Sequence, residues 1–140
     1  TTVHFLFPDQ PVKQTDFEGN NTSIIIKITR GKEDVLLTGD GEKELENYLI
    51  QKYGQALDVE LLKVGHHGSD TSSIEPFLKT TSPDIAVISA GLNNEYGHPT
   101  PRVLKRLKNA GVQIWRTDTQ GDIIATITND SLNVENHKTN

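Results

Sequence analysis

The chain contains no cysteine among its 140 residues. That removes disulfides, thiolate nucleophiles and cysteine-type zinc sites together, so any metal ion must be held by histidines and carboxylates. Methionine is absent as well, and the chain opens on Thr1. This reads as a processed or excised piece, from which a targeting segment has room to have been lost. No apolar run approaches the roughly 20 residues of a membrane span. No basic-then-apolar leader marks a signal peptide, and no stable lipid contact is expected of these residues. Basic groups are outnumbered, 14 Lys and Arg against 19 Asp and Glu, for a net charge of −5. That argues against a general electrostatic grip on a polyanion. It leaves open a nuclease whose own metal ions supply the local positive charge. Phosphate-cradling glycine loops and a Gly-x-Ser-x-Gly nucleophile elbow are also missing.

What is present is the patterning of one soluble α/β domain. Short β-branched runs at Val3–Phe7, Ile24–Ile28, Asp34–Thr38, Val59–Val64, Ile85–Ile88, Gln113–Trp115 and Ile123–Thr128 predict strands. The nearly continuous Ile24–Ile28 run predicts a strand covered on both faces. Between them, Leu45, Tyr48 and Leu49 at helical spacing predict a helix over Glu42–Gln51. Ser72 or Ser73 is the expected cap of a helix burying Ile74, Phe77 and Leu78. Thr100-Pro101 opens a third helix, which presents Val103, Leu104 and Leu107 and stops at Gly111. From Asn129 to Asn140 the chain is polar, and a frayed, disordered tail is expected there.

Four polar clusters fall where strands end and loops begin, the usual place for sites in α/β proteins. They are Asn20–Ser23, Thr38–Gly41, Gly65–Ser69 and Asn93–Pro99. Asp40, between two glycines, is either a cation ligand or the cap of the helix after it. Adjacent histidines at 66 and 67 point to different sides if they leave a strand, so at most one ligates a given ion; the other is free to bind substrate or move a proton. The alternative is two exposed histidines in a flexible turn. His98 is either a phosphate contact or general acid, or a loop residue whose ring packs on Tyr96. His4 and His137 read as incidental. Arg102, Lys105 and Arg106 share a helix face, which is either solvated or in contact with a phosphate backbone.

In sequence order the clusters read Asn21-x-Ser23, Leu37-Thr38-Gly39-Asp40, Leu62-Lys63-Val64-Gly65-His66-His67-Gly68-Ser69, Pro83-Asp84, Asn94-x-Tyr96-Gly97-His98-Pro99 and Arg116-Thr117-Asp118-x-x-Gly121. This series resembles the metallo-β-lactamase domain of the ComEC/Rec2 family of DNA-uptake proteins, over Val3 to Thr128. The resemblance implies an αββα sandwich, residues 1–128 covering about its C-terminal half. It implies Asp40, His66 and His67 as metal-site residues for zinc, two ions in a complete domain, or manganese. His67 and His98 are the implied catalytic residues. Ser69, Asn94, Tyr96 and His98 are the implied contacts to a phosphodiester, DNA above all. The superfamily's His-x-His-x-Asp-His run does not occur in this chain, and Asn20–Ser23 stands where many members place a further ligand histidine. The complete site is therefore expected to need an N-terminal half carrying that run, at a membrane or outside the cytoplasm. The competing expectations are a non-catalytic binding module, and a phosphoesterase of the same fold with another substrate, such as cell-wall phosphocholine.

Overall fold

The computed structural model describes residues 1–128 and 131–137. Six strands form one mixed sheet in sequence order: β1 (Thr2–Phe7), β2 (Ile25–Arg30), β3 (Glu33–Leu37), β4 (Leu61–Lys63), β5 (Ile85–Ile88) and β6 (Gln113–Arg116). The β1–β2 and β2–β3 pairs are antiparallel, the latter turning at Gly31-Lys32. From β3 to β6 every pair is parallel. Parallel neighbours need crossovers, and α1 (Lys43–Tyr53), α2 (Glu75–Thr81) and α3 (Pro101–Asn109) provide them.

All three helices cover the same face of the sheet. Leu45 and Leu49 of α1, Phe77 and Leu78 of α2, and Val103 and Leu107 of α3 share one core with Phe7, Ile25, Leu36, Leu62, Ala86 and Ile88 of the strands. These strand residues are the register partners or i+2 neighbours of one another, as a single sheet face requires. The opposite face is also apolar. Val3 and Phe5 are 51% and 64% exposed, while Ile26, Ile28, Val35, Leu37, Ile85 and Val87 are half-buried. Ile24 lies outside β2 and is exposed, so the expected double coverage of that strand is not met within this chain. A mixed sheet with helices on one side is α/β architecture compatible with one half of an αββα sandwich.

Three local expectations are corrected. The segment 129–140 is not all frayed: Ser131–His137 forms β8, antiparallel to β7 (Asp122–Thr128), while the rest of it lies outside the described residues. The turn at Asp118–Gly121 contains a short helix, α4 (Thr117–Gln120). Neither Ser72 nor Ser73 caps α2. The cap position is Ile74, and the hydroxyl of Ser72 instead donates to the carbonyls of Gly65 and Ser69. Thr100 does cap α3, accepting from the Val103 N–H.

Among the described residues, no helix is long and apolar enough to cross a membrane.

Candidate metal and phosphodiester site

The polar clusters meet at the C-terminal ends of β3, β4 and β5, where the parallel strands open into loops. After β4 the chain runs through Gly65–Gly68 with His66 and His67 both left-handed, at φ 47° and 55°. That conformation is costly for residues with a Cβ. Tertiary bonds hold it: the His66 N–H donates to the Gly39 carbonyl at 3.0 Å, and the Ser69 N–H to the His66 carbonyl at 2.8 Å. The Asp40 loop is fixed in turn, because its N–H donates to Ser23 Oγ at 3.0 Å, and Asn21 Oδ1 accepts from the Glu42 N–H at 2.9 Å. The Asn20–Ser23 cluster therefore props the Asp40 loop.

The two histidine rings diverge, each anchored through Nδ1. His67 Nδ1 lies 2.7 Å from the Ser89 carbonyl oxygen, and its Nε2 lies 3.5 Å from Asp40 Oδ1. His66 Nδ1 lies 3.1 Å from Glu42 Oε1, which also accepts from Thr71 Oγ1 at 2.8 Å. His66 Nε2 faces Asn20 Nδ2 at 3.5 Å. Donation from Nδ1 to a carbonyl or carboxylate leaves Nε2 as the lone-pair nitrogen, the arrangement that orients imidazoles for metal ligation.

A tetrahedral ion about 2.0–2.1 Å from each of two donors holds them roughly 3.3 Å apart. His67 Nε2 and Asp40 Oδ1 are 3.5 Å apart and both half-exposed, so this pair fits as two members of a shell. A closed shell needs more. Among the described residues, no group of three or more His or carboxylate side chains converges on one point. Asp40 does not cap α1, which begins at Lys43 after an extended Glu42. Of the three expected ligands the structure brings Asp40 and His67 together, whereas His66 turns toward Glu42.

His98 joins the cluster from the loop after β5. Its ring lies edge-on to His66 at 5.8 Å between centroids and stacks on Tyr96 at 6.0 Å, 22° from parallel. Burial, reinforced by the nearby His66 and His67, lowers the His98 pKa below the ordinary histidine value. Its Nδ1 is buried and has no hydrogen-bond partner among the described residues. Asn94 is spent inside its own loop: its amide donates to the Gly91 and His98 carbonyls at 2.9 and 2.6 Å and accepts from the His98 N–H at 2.9 Å. Ser69 is buried, with its hydroxyl 3.1 Å from Thr71 Oγ1. Arg102 and Arg106 both pair with Asp70, Arg106 half-buried and Arg102 still exposed. Glu42 and Thr71, which hold His66, carry no signal in the sequence, because their role exists only once α1 and the histidine loop are packed together.

This geometry can be set beside known proteins. No family model matches the chain. It is 38% identical over 112 residues to Competence protein ComA of Neisseria gonorrhoeae, covering 80% of this chain and 16% of that protein. It is 38% identical over 120 residues to ComE operon protein 3 of Bacillus subtilis, 86% of this chain and 15% of that protein. To Recombination protein 2 of Haemophilus influenzae it is 34% identical over 139 residues, 98% of this chain and 17% of that protein. The chain is a homologue of a segment of these ComEC/Rec2-type proteins. It spans about a sixth of their length, and the aligned segments include both histidine loops in at least the last comparison, which takes in nearly all of this chain.

Proposed function

We propose that the chain forms part of a metal-dependent phosphodiesterase that acts on DNA during uptake, at or outside the membrane. The observation that carries this reading is the Asp40–His67 pair. The two donors stand at ligand spacing, and Ser89 anchors the far side of the imidazole. Two of the relatives bear competence or recombination names that fit DNA as the substrate.

Under this reading Asp40 and His67 hold one ion, zinc or manganese. The remaining donors come from outside this chain, such as a His-x-His-x-Asp-His segment. When bound, the ion contributes Lewis acidity toward water and phosphate oxygen. His66, fixed by Glu42, presents Nε2 to the same opening and orders it. Burial, with His66 and His67 nearby, lowers the His98 pKa and so favours its neutral ring, which can offer or accept a hydrogen bond beside the ion. Ser69 works from beneath by tying the loop to Thr71.

Metal titration of the protein tests the assignment. Asp40→Ala and His67→Ala each weaken manganese or zinc binding in the full-length protein by at least the roughly 10- to 100-fold that losing a partner behind a ligand costs. Unchanged affinity in both variants sinks the site. The metal-replete full-length protein, in which the remaining donors are present, is then assayed on bis-p-nitrophenyl phosphate and on single-stranded DNA. Cleavage of neither abandons the hydrolase and leaves a binding module.

A further inference from the structure

Beside the Asp40–His67 pair lies a cavity of about 210 Å³ lined by His67, Ala90, Gly91, Asn94, Tyr96 and His98. Two of its walls are flat rings stacked on one another, and the outer ring, Tyr96, is 82% exposed. Leu92, on the same loop, is 73% exposed. Two large side chains left outward on one short loop are a feature of ligand and partner sites. The loop itself is rigid in design: the side chain of Asn94 bridges Gly91 to His98 through three hydrogen bonds. The rings are thus held in place before anything binds.

We propose that this cavity is a nucleobase subsite, in which Tyr96 and His98 stack a base next to the phosphate handled at Asp40 and His67. The proposal rests on the phosphodiesterase reading for the nature of the ligand. The cavity's chemistry selects among flat ligands. The Asn94 amide is consumed within the loop and His67 Nδ1 is committed to Ser89, so what the cavity offers most is the flat faces of Tyr96 and His98, which suit a planar ligand better than a sugar. A base needs only its π-face covered, so stacking on these rings tolerates different bases. The charge balance points the same way. With a net charge of −5, and with Arg106 held by Asp70 and by the Asp70 and Ser72 carbonyls, general phosphate attraction is weak here, so stacking adds to the hold on a strand. A base paired in a duplex cannot enter, which makes unpaired strand the preferred ligand.

The test is binding of a labelled oligodeoxythymidylate and of an abasic strand of equal length, followed by fluorescence anisotropy in EDTA. The thymidylate strand binds roughly tenfold more tightly than the abasic one, within the range of one stacked base. Tyr96→Ala abolishes that difference and Tyr96→Phe keeps it; circular dichroism checks that both variants fold, as the exposure of Tyr96 leads one to expect. Equal binding of the two strands by the wild type overturns the proposal, as does an equal loss on both strands in Tyr96→Ala. The outcome separates from that of the hydrolase reading. Base-dependent binding without metal-dependent cleavage supports the subsite and removes the nuclease. Cleavage of both strands with indistinguishable affinity removes the subsite and keeps the nuclease.

Discussion

Gly68→Ala is expected to lower the free energy of unfolding by about 2–5 kcal/mol and to dismantle the histidine loop, with urea denaturation as the readout. Gly68 sits at φ +83°, which an alanine adopts only with strain. The added methyl would also lie 2.6 Å from Pro99 Cβ, 3.0 Å from Pro99 Cα and 3.4 Å from Ile88 Cγ2. Pro99 is buried and cannot swing aside as a surface side chain would. The Gly68 carbonyl accepts from the Thr100 N–H at 3.0 Å, so the contact is a seam between the His66-His67 loop and the loop carrying His98. Opening it separates the groups on which the proposed site depends. Gly97→Ala is the matched control. It too has a positive φ, +67°, but nothing lies within 4 Å of its Cβ, so only the backbone strain remains and the loss should be about 1–2 kcal/mol. Equal losses in the two variants would show that the seam contributes nothing.

Much of this arrangement was legible in the sequence because burial leaves a period. Ile25–Ile28, Val35–Leu37 and Ile85–Ile88 announce strands, and Leu45, Leu49, Val103 and Leu107 announce the helix faces that cover them. The strand β8 was not legible. Leu132 and Val134 alternate as they should, but Asn133, Glu135 and Asn136 dilute the signal to that of a polar tail, and its stability comes from pairing with β7. Glycine flanks gave away the position of the histidine loop but not its conformation. The two rings diverge, as alternation along a strand would make them, yet the cause is two successive left-handed residues. Which ring meets Asp40 depends on Ser89 and Glu42, 22 and 24 residues from their histidines in sequence. No local pattern encodes such pairings. The serines ahead of α2 do not cap it for a related reason: Ser72 bonds the Gly65 and Ser69 carbonyls, and the N–H groups of Ser73 and Ile74 just before the helix go to a carboxylate from another helix.

That carboxylate belongs to Glu46, and replacing it is the other large effect. Glu46 projects from α1 and is 2% exposed. Its two oxygens accept the N–H groups of Ser73 and Ile74 at 2.6 and 3.0 Å, at the start of α2. Arg106 of α3 holds the same segment by its other polar groups, donating to the Asp70 and Ser72 carbonyls at 3.1 and 2.9 Å. The stretch after the histidine loop is thus gripped from two helices, its N–H groups by an acid and its carbonyls by a base. Glu46→Ala leaves the Ser73 and Ile74 N–H groups without acceptors, at about 1–3 kcal/mol each, so a loss of about 2–6 kcal/mol is expected at pH 5. The loss shrinks as pH rises. Burial pushes the Glu46 pKa up to about 7 from 4.5, against the pull of the Ile74 and Ser73 N–H groups and of Arg106. A carboxyl whose pKa is raised on folding stabilises the fold fully below the unfolded value, and that contribution is lost as pH climbs through the folded one. Wild-type stability should therefore fall by a few kcal/mol between about pH 4.5 and pH 7, and the Glu46→Ala protein should lack that slope. Urea denaturation of both proteins at pH 5 and pH 8 decides the matter: parallel pH dependences would mean that Glu46 enters the fold already ionised, with its two N–H bonds and Arg106 outweighing burial.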